Sequence, residues 1–509
     1  MKKLKLSIDT SALDLLARVS HFLAERGIQS HLTGGFIRDV LLERDTADID
    51  IALAANALEV APEMATTLGG KYVLLDTVNK VGRVIVANRK TPSARGRWQI
   101  DLSTVKDAIE HDLARRDFTI NAIAVDLEEL GKGTDVPLMD PFHGRDDLQL
   151  GIIRVVAETA FTSDAVRLLR ALRLAGELGF RIDNETELLI QRDHQLITTV
   201  AAERIREELL RLLELPQSGK LLRYLDRLEL LCTIIPELAP LKAVKQPKEH
   251  FWDVFDHSLE TVAAVDFILR QGTAEYATEQ VLAVVPWSEE LAEHFAREVI
   301  GGGTRRALLK LAALLHDTAK PQTRAFDDSG RLRFLGHAPQ GAAIAVDILE
   351  RLRFSTREVK RVETMVRHHL RPGQLSQEEQ LPTHRAIYRY FRDTADAGID
   401  TLFLNLADHL AARGPQLDLV TWQEHAQMVD YILAQHQRQQ SVITPARLID
   451  GHDLINIFGL SPGPGIGQFL ESVREAQAAD EVSTREEALV YIRKRLSLPN
   501  SHPEETEDK

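Results

Sequence analysis

The sequence holds little of what stabilises secreted proteins or anchors membrane proteins. Among its 509 residues there is one cysteine, Cys232, so no internal disulfide can form and a reducing cytoplasm is the expected setting. No apolar run approaches the roughly 18 residues that a membrane-crossing helix needs. The start of the chain also lacks the apolar stretch of a signal peptide. We therefore expect a cytoplasmic protein with no membrane segment.

Positive charge is also in short supply. Lysine and arginine number 62 against 76 aspartates and glutamates, which gives a formal net charge of −14. This balance argues against a protein that coats nucleic acid with its whole surface. A local basic groove stays compatible with it, because binding follows the charge at the interface. Hydrophobic residues, at 44%, supply enough apolar material for several cores, and the length predicts about three domains.

Strand patterns are confined to the first part of the chain. Up to about residue 155 they mix with helical patterns, which predicts an α/β domain. From Phe161 onward strand signals nearly vanish, and amphipathic helices such as Val166–Leu178 and Ala201–Leu213 dominate. The predicted strands are Ile28–Leu32, Ile49–Leu53, Lys71–Leu75, Val81–Ala87 and Trp98–Leu102.

The densest signal lies between Thr33 and Leu53. A predicted strand runs into Gly34 and Gly35, and a helix is expected to begin near Phe36. Paired glycines let the backbone approach a phosphate closely, and the free N–H groups of a helix N-terminus can donate to it. The strand–turn–helix pattern therefore predicts a phosphate-binding turn.

Two aspartates follow this turn on one strand. Because alternate side chains of a strand share a face, Asp48 and Asp50 point together while Ile49 points into the core. Paired carboxylates beside a phosphate cradle suit Mg²⁺, and Asp101 on a third strand is a candidate third ligand or general base. A lone Asp-x-Asp is usually a solvated strand or turn, but the preceding glycine pair favours a catalytic site here.

These motifs resemble a known superfamily. Gly34-Gly35, Arg38-Asp39 and Asp48-x-Asp50 are similar to the signature of the polymerase-beta-type nucleotidyltransferases. More narrowly, the chain resembles the class II tRNA nucleotidyltransferases (CCA-adding enzymes) and the bacterial poly(A) polymerases. Further family motifs follow in order: DLARRDFTINAIA at 112–124, DAVRLLRALR at 164–173 and AERI at 202–205.

The resemblance implies a template-independent nucleotidyl transfer that adds C, C and A from CTP and ATP to the 3′ end of tRNA. Two Mg²⁺ ions between Asp48, Asp50 and the nucleotide would activate the RNA hydroxyl and stabilise the departing pyrophosphate. Other nucleotide-binding positions follow from the motifs. They are Gly34, Gly35, Arg38 and Asp39 at the turn, Arg115 and Arg116 for the triphosphate, and Asp117 and Asn121 near the ribose.

Base selection without a template follows from hydrogen-bond polarity. Asp164 and Arg167 lie three apart on a predicted helix, so they project on one face. An ionised aspartate accepts and an arginine donates, which matches the amino group and ring nitrogen of cytosine and adenine. Guanine and uracil present the opposite polarity. The alternative is an ordinary surface ion pair, and Ser163 stands where the family usually has an acidic residue.

Arginines at helical spacing continue this block. Arg170 and Arg173 are further candidate nucleotide-binding residues, and with the Arg204–Arg211 stretch they could form a groove for the tRNA acceptor arm. Ordinary solvated helix faces explain the same pattern equally well.

One departure from the family concerns the third nucleotide. Members that complete the whole CCA carry a flexible loop between the third strand and the Arg-Arg-Asp motif. Only Ser103–His111 separates Leu102 from Asp112 here. Related enzymes that add only the two cytosines lack that loop as well. Addition of the terminal A therefore stays open.

Histidines define a second region. LLHDTAK with Lys320, GHAPQGA, and the pair His368-His369 occur in the order typical of HD-type metal-dependent phosphohydrolases. Imidazoles with carboxylates are ligands for Mn, Fe, Ni or Zn rather than for Mg²⁺ alone. Lone histidines are more often ordinary core or surface residues, but a series in family order favours a metal site. The candidate ligands are His257, His316, Asp317, His337, His368 and Asp408.

The predicted architecture is an α/β head of the nucleotidyltransferase fold followed by helical parts. We expect the head at 1–155, an all-α neck at 156–245, an HD domain at 246–415, a helical C-terminal body at 416–496 and a disordered tail at 497–509. Two other functions stay open, namely a poly(A) polymerase and an HD phosphohydrolase with an RNA-binding head. The sequence does not indicate an oligomeric state.

Overall fold

The structure is a computed structural model that describes residues 3–6, 8–87, 97–105, 108–273, 276–375, 381–441 and 447–497. The chain divides into two compact units. The first comprises Met1–Glu208 and Tyr224–Ile234, and the second comprises Leu209–Arg223 and Ile235–Lys509. No helix in the described ranges combines the length and apolar character needed to cross a membrane.

The first unit is built on a six-stranded mixed sheet. The strands run in the order β4-β5-β6-β3-β2-β7, and only the β3–β6 pair is parallel among them. Two short pairs, β1 with β8 and β9 with β10, accompany it. The strands are β1 Lys3–Lys5, β2 Ser30–Thr33, β3 Asp48–Leu53, β4 Lys71–Asp76, β5 Val81–Ala87, β6 Arg97–Thr104, β7 Ala124–Asp126, β8 Asp135–Pro137, β9 Ile152–Ile153 and β10 Arg181–Ile182.

Alternation along the central strands decides which side chains reach the open face of this sheet. On β3, Ile49 and Ile51 are buried at 1% exposure each, while Asp48 is exposed and Asp50 half-buried. The odd-numbered residues of β3 therefore pack into the core, and the aspartates at even-numbered positions lie on the opposite face of the sheet. The parallel register sets Asp50 opposite Asp101 on β6.

Helices cover the sheet and continue the first unit. Arg167–Leu178 is strongly amphipathic, with Leu168, Leu169 and Leu172 fully buried. The helices up to the boundary region are α1 Thr10–Ala24, α2 Gly35–Leu41, α3 Ala57–Leu68, α4 Ile109–Ala114, α5 Leu127–Lys132, α6 Gly144–Leu150, α7 Ala160–Ser163, α8 Arg167–Leu178, α9 Asn184–Asp193, α10 Ala202–Glu214, α11 Ser218–Arg227 and α12 Leu230–Ile234.

The second unit is helical apart from the small hairpin β11 Ala325–Phe326 with β12 Leu332–Arg333. Short 3₁₀ turns lie in both units, at Thr119–Asn121, His194–Thr199, Pro236–Leu241, Ala395–Ala397 and Gly414–Gln416. The remaining helices are α13 Val254–Ile268, α14 Glu279–Ala283, α15 Glu289–Ala296, α16 Arg305–Leu315, α17 His337–Arg351, α18 Thr356–His368, α19 Arg371–Gln374, α20 His384–Thr394, α21 Gly398–Arg413, α22 Leu419–Ser441, α23 Gly451–Phe458, α24 Pro464–Ala478 and α25 Arg485–Leu496.

A helical bundle forms the centre of the second unit. Helix α16 is buried all round, and α13 packs against both α16 and α21 while α17 packs against α18. Its two buried cations are paired inside the bundle, Arg305 with Asp400 and Lys310 with Asp266. The last three helices share a separate small core around Leu454, Val473 and Ile492, and α20 meets α24 through ion pairs such as Arg389–Glu475 at 2.7 Å.

The predicted fold class is confirmed. The mixed-sheet head and the helical remainder occur as expected, and Val81–Ala87 has the bounds that the sequence predicted. Helix α8 begins at Arg167, one residue later than expected. The division into five parts stays a prediction, and the predicted tail lies outside the described residues apart from Ser497.

Candidate functional site

A cavity of about 1090 Å³ opens in the first unit on the aspartate side of the sheet. Its wall joins the glycine turn, the β4–β5 loop, the Arg-Arg-Asp motif and the start of α8. Ten of the predicted nucleotide-site residues line it: Gly34, Gly35, Asp50, Arg115, Arg116, Asp117, Asn121, Asp164, Arg167 and Arg170.

The glycine turn holds Asp50 in place. The Gly35 N–H donates to Asp50 Oδ2 at 3.2 Å. Gly34 has φ 73° and ψ −141°, and a Cβ there would lie 2.6 Å from both Asp50 Oδ2 and Arg116 Nη1. Burial raises the pKa of the Asp50 carboxyl, against the opposing effect of Arg116. The turn therefore requires glycine, and the buried carboxylate calls for a cation beside it.

Of the three predicted catalytic carboxylates, Asp101 is held by a guanidinium, that of Arg83. Asp101 accepts two hydrogen bonds from Arg83, Nε to Oδ1 at 2.6 Å and Nη2 to Oδ2 at 2.8 Å. The pKa of Arg83 is raised, first by this hydrogen bonding and further by the charges of Asp48 and Asp50. Asp48 is exposed, and neither it nor Asp101 lines the cavity wall.

The Arg-Arg-Asp motif turns its two arginines differently. Arg116 donates to Thr33 Oγ1 at 2.6 Å and to Asp112 Oδ2 at 3.2 Å, so it is fixed beside the glycine turn. The Arg115 side chain is 66% exposed and touches Asp112 at 3.1 Å. An exposed guanidinium at a cavity wall is free to reorient toward a phosphate.

Asp117 is the centre of a buried network. It accepts from Asn121 Nδ2 at 3.0 Å and pairs with Arg170 at 2.9 Å. Burial opposes ionisation, but Arg170 and the hydrogen bonds outweigh it and hold the pKa of Asp117 below its ordinary value. Arg38 donates to Asn121 Oδ1 at 3.0 Å and pairs with Asp39. Arg38 and Asp39 thus support this network from behind rather than line the cavity.

The base-selecting pair differs from its predicted arrangement. Asp164 precedes helix α8 in extended conformation, with φ −156°, so the two side chains do not share a helix face. Asp164 instead pairs with Arg204, while Arg167 donates to backbone carbonyl oxygens of Arg115 and Ala160. Both residues nevertheless line the same cavity.

Arg173 does not take part in the cavity. Its side chain is 9% exposed and donates to Glu177 at 2.6 Å and to Glu208 at 2.6 Å. Arg173 is absent from the cavity wall, and its two ion pairs hold the guanidinium within the helical packing. Its role as a nucleotide ligand stays a prediction.

A second constellation lies in the helical unit. The Nε2 atoms of His257 and His316 are 3.3 Å apart, and His257 Nε2 lies 3.0 Å from Asp408 Oδ1. The Nε2 atoms of His337 and His369 are 3.4 Å apart. Asp317 lies between these groups, with Oδ2 3.2 Å from His316 Nε2 and Oδ1 3.4 Å from His337 Nε2.

Hydrogen bonds at the Nδ1 atoms of the histidine rings determine whether the Nε2 atoms can act as metal ligands. Nδ1 of His316, His337 and His369 lies within 2.8 Å of a backbone carbonyl oxygen. Carbonyls only accept, so each Nδ1 carries a proton, and each Nε2 offers a lone pair when the ring is neutral. Lone pairs facing one another beside the buried carboxylate of Asp317 fit metal ions.

His368 is a correction. The structure brings His369 into the cluster, whereas the His368 side chain is half-buried and lines the adjoining cavity without joining the group of ligand atoms. Successive residues at a helix end point about 100° apart, so one of the two neighbours faces the other ligands. The predicted ligands His257, His316, Asp317, His337 and Asp408 all converge, with His369 in the remaining place.

Basic and polar groups surround this cluster. A cavity of about 700 Å³ leads to it, lined by Lys320, Arg331 and Arg333 among others. Lys320 Nζ lies 2.5 Å from Asp317 Oδ2. Cations at the mouth of a metal cluster suit an anionic ligand.

Several site residues were not predicted from the sequence. Arg83 carries no motif of its own and reaches the site through strand pairing, and Thr33 was noted only as the first residue of the glycine-turn run. Arg204 was noted only as part of the AERI motif and of a basic stretch. Its position after the DAVRLLRALR motif, in family order, could have indicated a place near the same site. Asn79 and Lys80 enter the cavity wall from the β4–β5 loop.

Comparison with protein families covers three segments of the chain. Residues 30–154 match the family described as Poly A polymerase head domain. Residues 179–242 match the probable RNA and SrmB-binding site of polymerase A, and residues 279–413 match the HD domain. A nucleotidyltransferase head and an HD domain together point to dependence on divalent metal ions.

Whole-chain relatives agree with these matches. A CC-adding tRNA nucleotidyltransferase of Thermus thermophilus is 32% identical over 90% of this chain and 92% of its own length. An A-adding tRNA nucleotidyltransferase of Deinococcus radiodurans is 32% identical over 91% and 94%. The Thermotoga maritima CCA-adding enzyme complexed with tRNA shares the fold, with a TM-score of 0.61 at 22% identity over 98% of this chain and 100% of that one. On these grounds the chain belongs to the tRNA nucleotidyltransferase family, as an enzyme with a poly(A)-polymerase-type head and an HD domain.

Proposed function

We propose that the head transfers nucleotides from CTP and ATP to the 3′ end of tRNA without a template, adding C, C and A. The observation that carries this is the cavity that joins Asp50 and its glycine turn to Arg116, Asp117 and the Asp164–Arg167 region. One catalytic carboxylate, the arginines suited to the phosphates and the base-reading groups thus line one space. We place the reaction in the cytoplasm, in keeping with a chain that has one cysteine.

The residues divide the work of the reaction. Asp48 and Asp50, with Asp101 as a third candidate, would hold Mg²⁺, which fits because Asp48 is exposed, Asp50 lines the cavity and Asp101 lies opposite Asp50 on the neighbouring strand. When bound, Mg²⁺ neutralises charge on the nucleotide phosphates and on the attacking and leaving oxygens. Arg115 and Arg116 orient the triphosphate, and the network of Asp117 and Asn121 offers polar groups to the ribose. Positioning and charge neutralisation are the main tasks of a protein in such a transfer.

The test uses tRNA that lacks its terminus, and tRNA that already ends in C or CC. Each is incubated with Mg²⁺ and with CTP, ATP or both, and the 3′ ends are sequenced. Addition of C, C and A in that order supports the proposal, and a long run of A on varied RNAs would support the poly(A) polymerase instead. Absence of any extension would contradict it.

A narrower candidate, addition of the two cytidines alone, is favoured by one observation. The chain passes from Thr104 at the end of β6 to Ile109 at the start of α4 with four residues between, which leaves little room for the loop that the family resemblance associates with terminal adenylation. The T. thermophilus relative is named for CC addition. In the same assay this candidate predicts that tRNA ending in CC is not extended.

A second activity is favoured by the histidine cluster. We infer that His257, His316, Asp317 and Asp408 would hold one transition metal ion, and that Asp317, His337 and His369 would hold another. Mn, Fe, Ni and Zn suit such nitrogen and oxygen ligands, and a bound ion would supply a nucleophilic water and polarise a phosphoryl oxygen. Lys320 and the arginines of the cavity mouth would bind the phosphate. The activity would be a phosphohydrolase.

Separation of the two activities tests this assignment. His316→Ala should abolish metal-dependent release of phosphate from nucleotide and RNA 3′-phosphate substrates and leave tRNA extension intact. Asp50→Asn should do the reverse. Hydrolysis that survives His316→Ala in metal-loaded protein would exclude the cluster as its site.

A further inference from the structure

Arg204 forms a two-point contact with Asp164. Nη1 lies 3.0 Å from Oδ1 and Nη2 lies 2.7 Å from Oδ2, so both carboxylate oxygens are held in one plane with the guanidinium. The Val166 N–H also donates to Oδ1 at 3.3 Å. Both side chains line the nucleotide cavity. Parallel paired hydrogen bonds of this kind fix orientation as well as add energy.

Counting lone pairs shows what this contact leaves free. An ionised carboxylate has about four acceptor positions, two on each oxygen. Arg204 and Val166 take both positions on Oδ1, and Arg204 takes one on Oδ2. One acceptor position on Oδ2 remains, which is what a single exocyclic amino group requires.

Arg167 is restrained in a similar way. Its Nη2 donates to the Arg115 carbonyl oxygen at 2.7 Å, and its Nη1 lies 3.3 Å from the Ala160 carbonyl oxygen. These hydrogen bonds hold the Arg167 guanidinium against the backbone of the Arg-Arg-Asp motif. Its remaining N–H groups can donate to an unprotonated ring nitrogen without breaking these bonds.

Polarity alone does not reject uracil. A carboxylate that is free to turn can accept the ring N–H of uracil while an arginine donates to the neighbouring carbonyl oxygen. Rejection therefore depends on where the free lone pair of Asp164 points. We propose that Arg204 is a specificity-determining positioning residue, which aims Asp164 at the amino group of cytosine or adenine and denies it to the ring N–H of uracil or guanine. This inference rests on the proposed function of the head.

The experiment measures kcat/KM for CTP and for UTP on tRNA that lacks its terminus. The variant Arg204→Gln removes the two-point contact and the positive charge. The variant Arg204→Lys keeps the positive charge but can donate to Asp164 from a single nitrogen. The matched control is Arg192→Gln, because Arg192 also makes a two-point contact with an aspartate outside the cavity, through Nε at 2.9 Å and Nη2 at 2.7 Å to Asp193. We expect the CTP:UTP ratio to fall by about 10- to 100-fold in Arg204→Gln, the range for loss of a hydrogen bond to a charged group. Arg204→Lys should lie between, and Arg192→Gln should keep the wild-type ratio.

The outcomes separate this inference from the function beneath it. A wild-type protein that extends no tRNA contradicts the proposed function. A wild-type protein that prefers CTP, beside Arg204 variants that lose rate equally for CTP and UTP, overturns the positioning role and leaves the function standing. If Arg204→Gln fails to fold, the ratio in Arg204→Lys decides, since an unchanged ratio there also overturns the inference.

Discussion

Asp50 and Asp101 are direct neighbours across the parallel strands β3 and β6, yet Arg83 holds both oxygens of Asp101 and leaves Asp50 to the cavity. Arg83 therefore supplies to Asp101 the positive charge that a bound metal ion would also supply. We expect Arg83→Gln to destabilise the metal-free protein by about 1 kcal/mol, a modest figure because the pair is partly exposed.

Added Mg²⁺ should recover that loss, since an ion that binds the folded state stabilises it. The measurement is thermal unfolding of both proteins with and without Mg²⁺. A deficit that Mg²⁺ leaves unchanged would contradict the view that the guanidinium and the ion serve the same carboxylates.

Replacement of Asp50 should affect catalysis rather than folding. Loss of groups that merely support a metal ligand typically costs about 10- to 100-fold, so loss of a ligand should cost more than about 100-fold. We expect this reduction in tRNA extension for Asp50→Asn, with an unchanged unfolding temperature. Asp45→Asn is the control, because Asp45 is exposed in the preceding loop. Extension by Asp50→Asn at the rate of the control would refute the catalytic assignment.

Gly34 offers a steric test. Its backbone conformation is one that glycine alone adopts readily, at a cost of about 1–3 kcal/mol for other residues. A methyl group there would also meet Asp50 and Arg116 at 2.6 Å. We expect Gly34→Ala to destabilise the head and to abolish tRNA extension. Gly27→Ala shares a positive φ, at 65°, but has nothing within 4 Å, so it should keep activity, and equal loss in both variants would count against the steric argument.

The adjacent histidines give a matched pair of variants. The variant His369→Ala should lose metal, because the Nε2 atom of His369 faces the histidine cluster. The residue is also buried, with 1% of its surface exposed. His368→Ala should retain metal, since that side chain lies outside the cluster. The measurement is metal content by mass spectrometry after reconstitution with Mn²⁺. The reverse pattern would restore the assignment made from the sequence.

Much of the head could be predicted because its signals are local. The glycine turn, the alternation on β3 and the Arg-Arg-Asp motif each depend on neighbours in the chain. Arg83 could not be predicted, because its role arises from pairing of β5 with β6. His368 and His369 are equivalent in a pattern, and only the rotation of the helix end distinguishes them. Asp164 was misplaced because α8 begins after it.

The Asp117–Arg170 pair predicts an acid dependence. The folded-state pKa of Asp117 lies below its ordinary value of 3.8, so its stabilising contribution is fully present above that value and is lost as the pH falls through the folded pKa. We expect Asp117→Asn to be less stable than the wild type at about pH 7, with the gap narrowing below about pH 4. Urea unfolding across this range measures the gap. A gap that stays constant into acid would show that the charge of Asp117 does not contribute.

Asp317 contacts both groups of histidines through different oxygens. Two bound ions would share the Asp317 carboxylate as a ligand. Binding of one ion would therefore change the charge that the other ion experiences. Titration with Mn²⁺ should then give two unequal affinities in sequence, not a pair of identical, independent steps. Over a range of metal concentrations the protein would then hold one ion of the two. Its phosphohydrolase activity would rise with binding of the second, weaker ion.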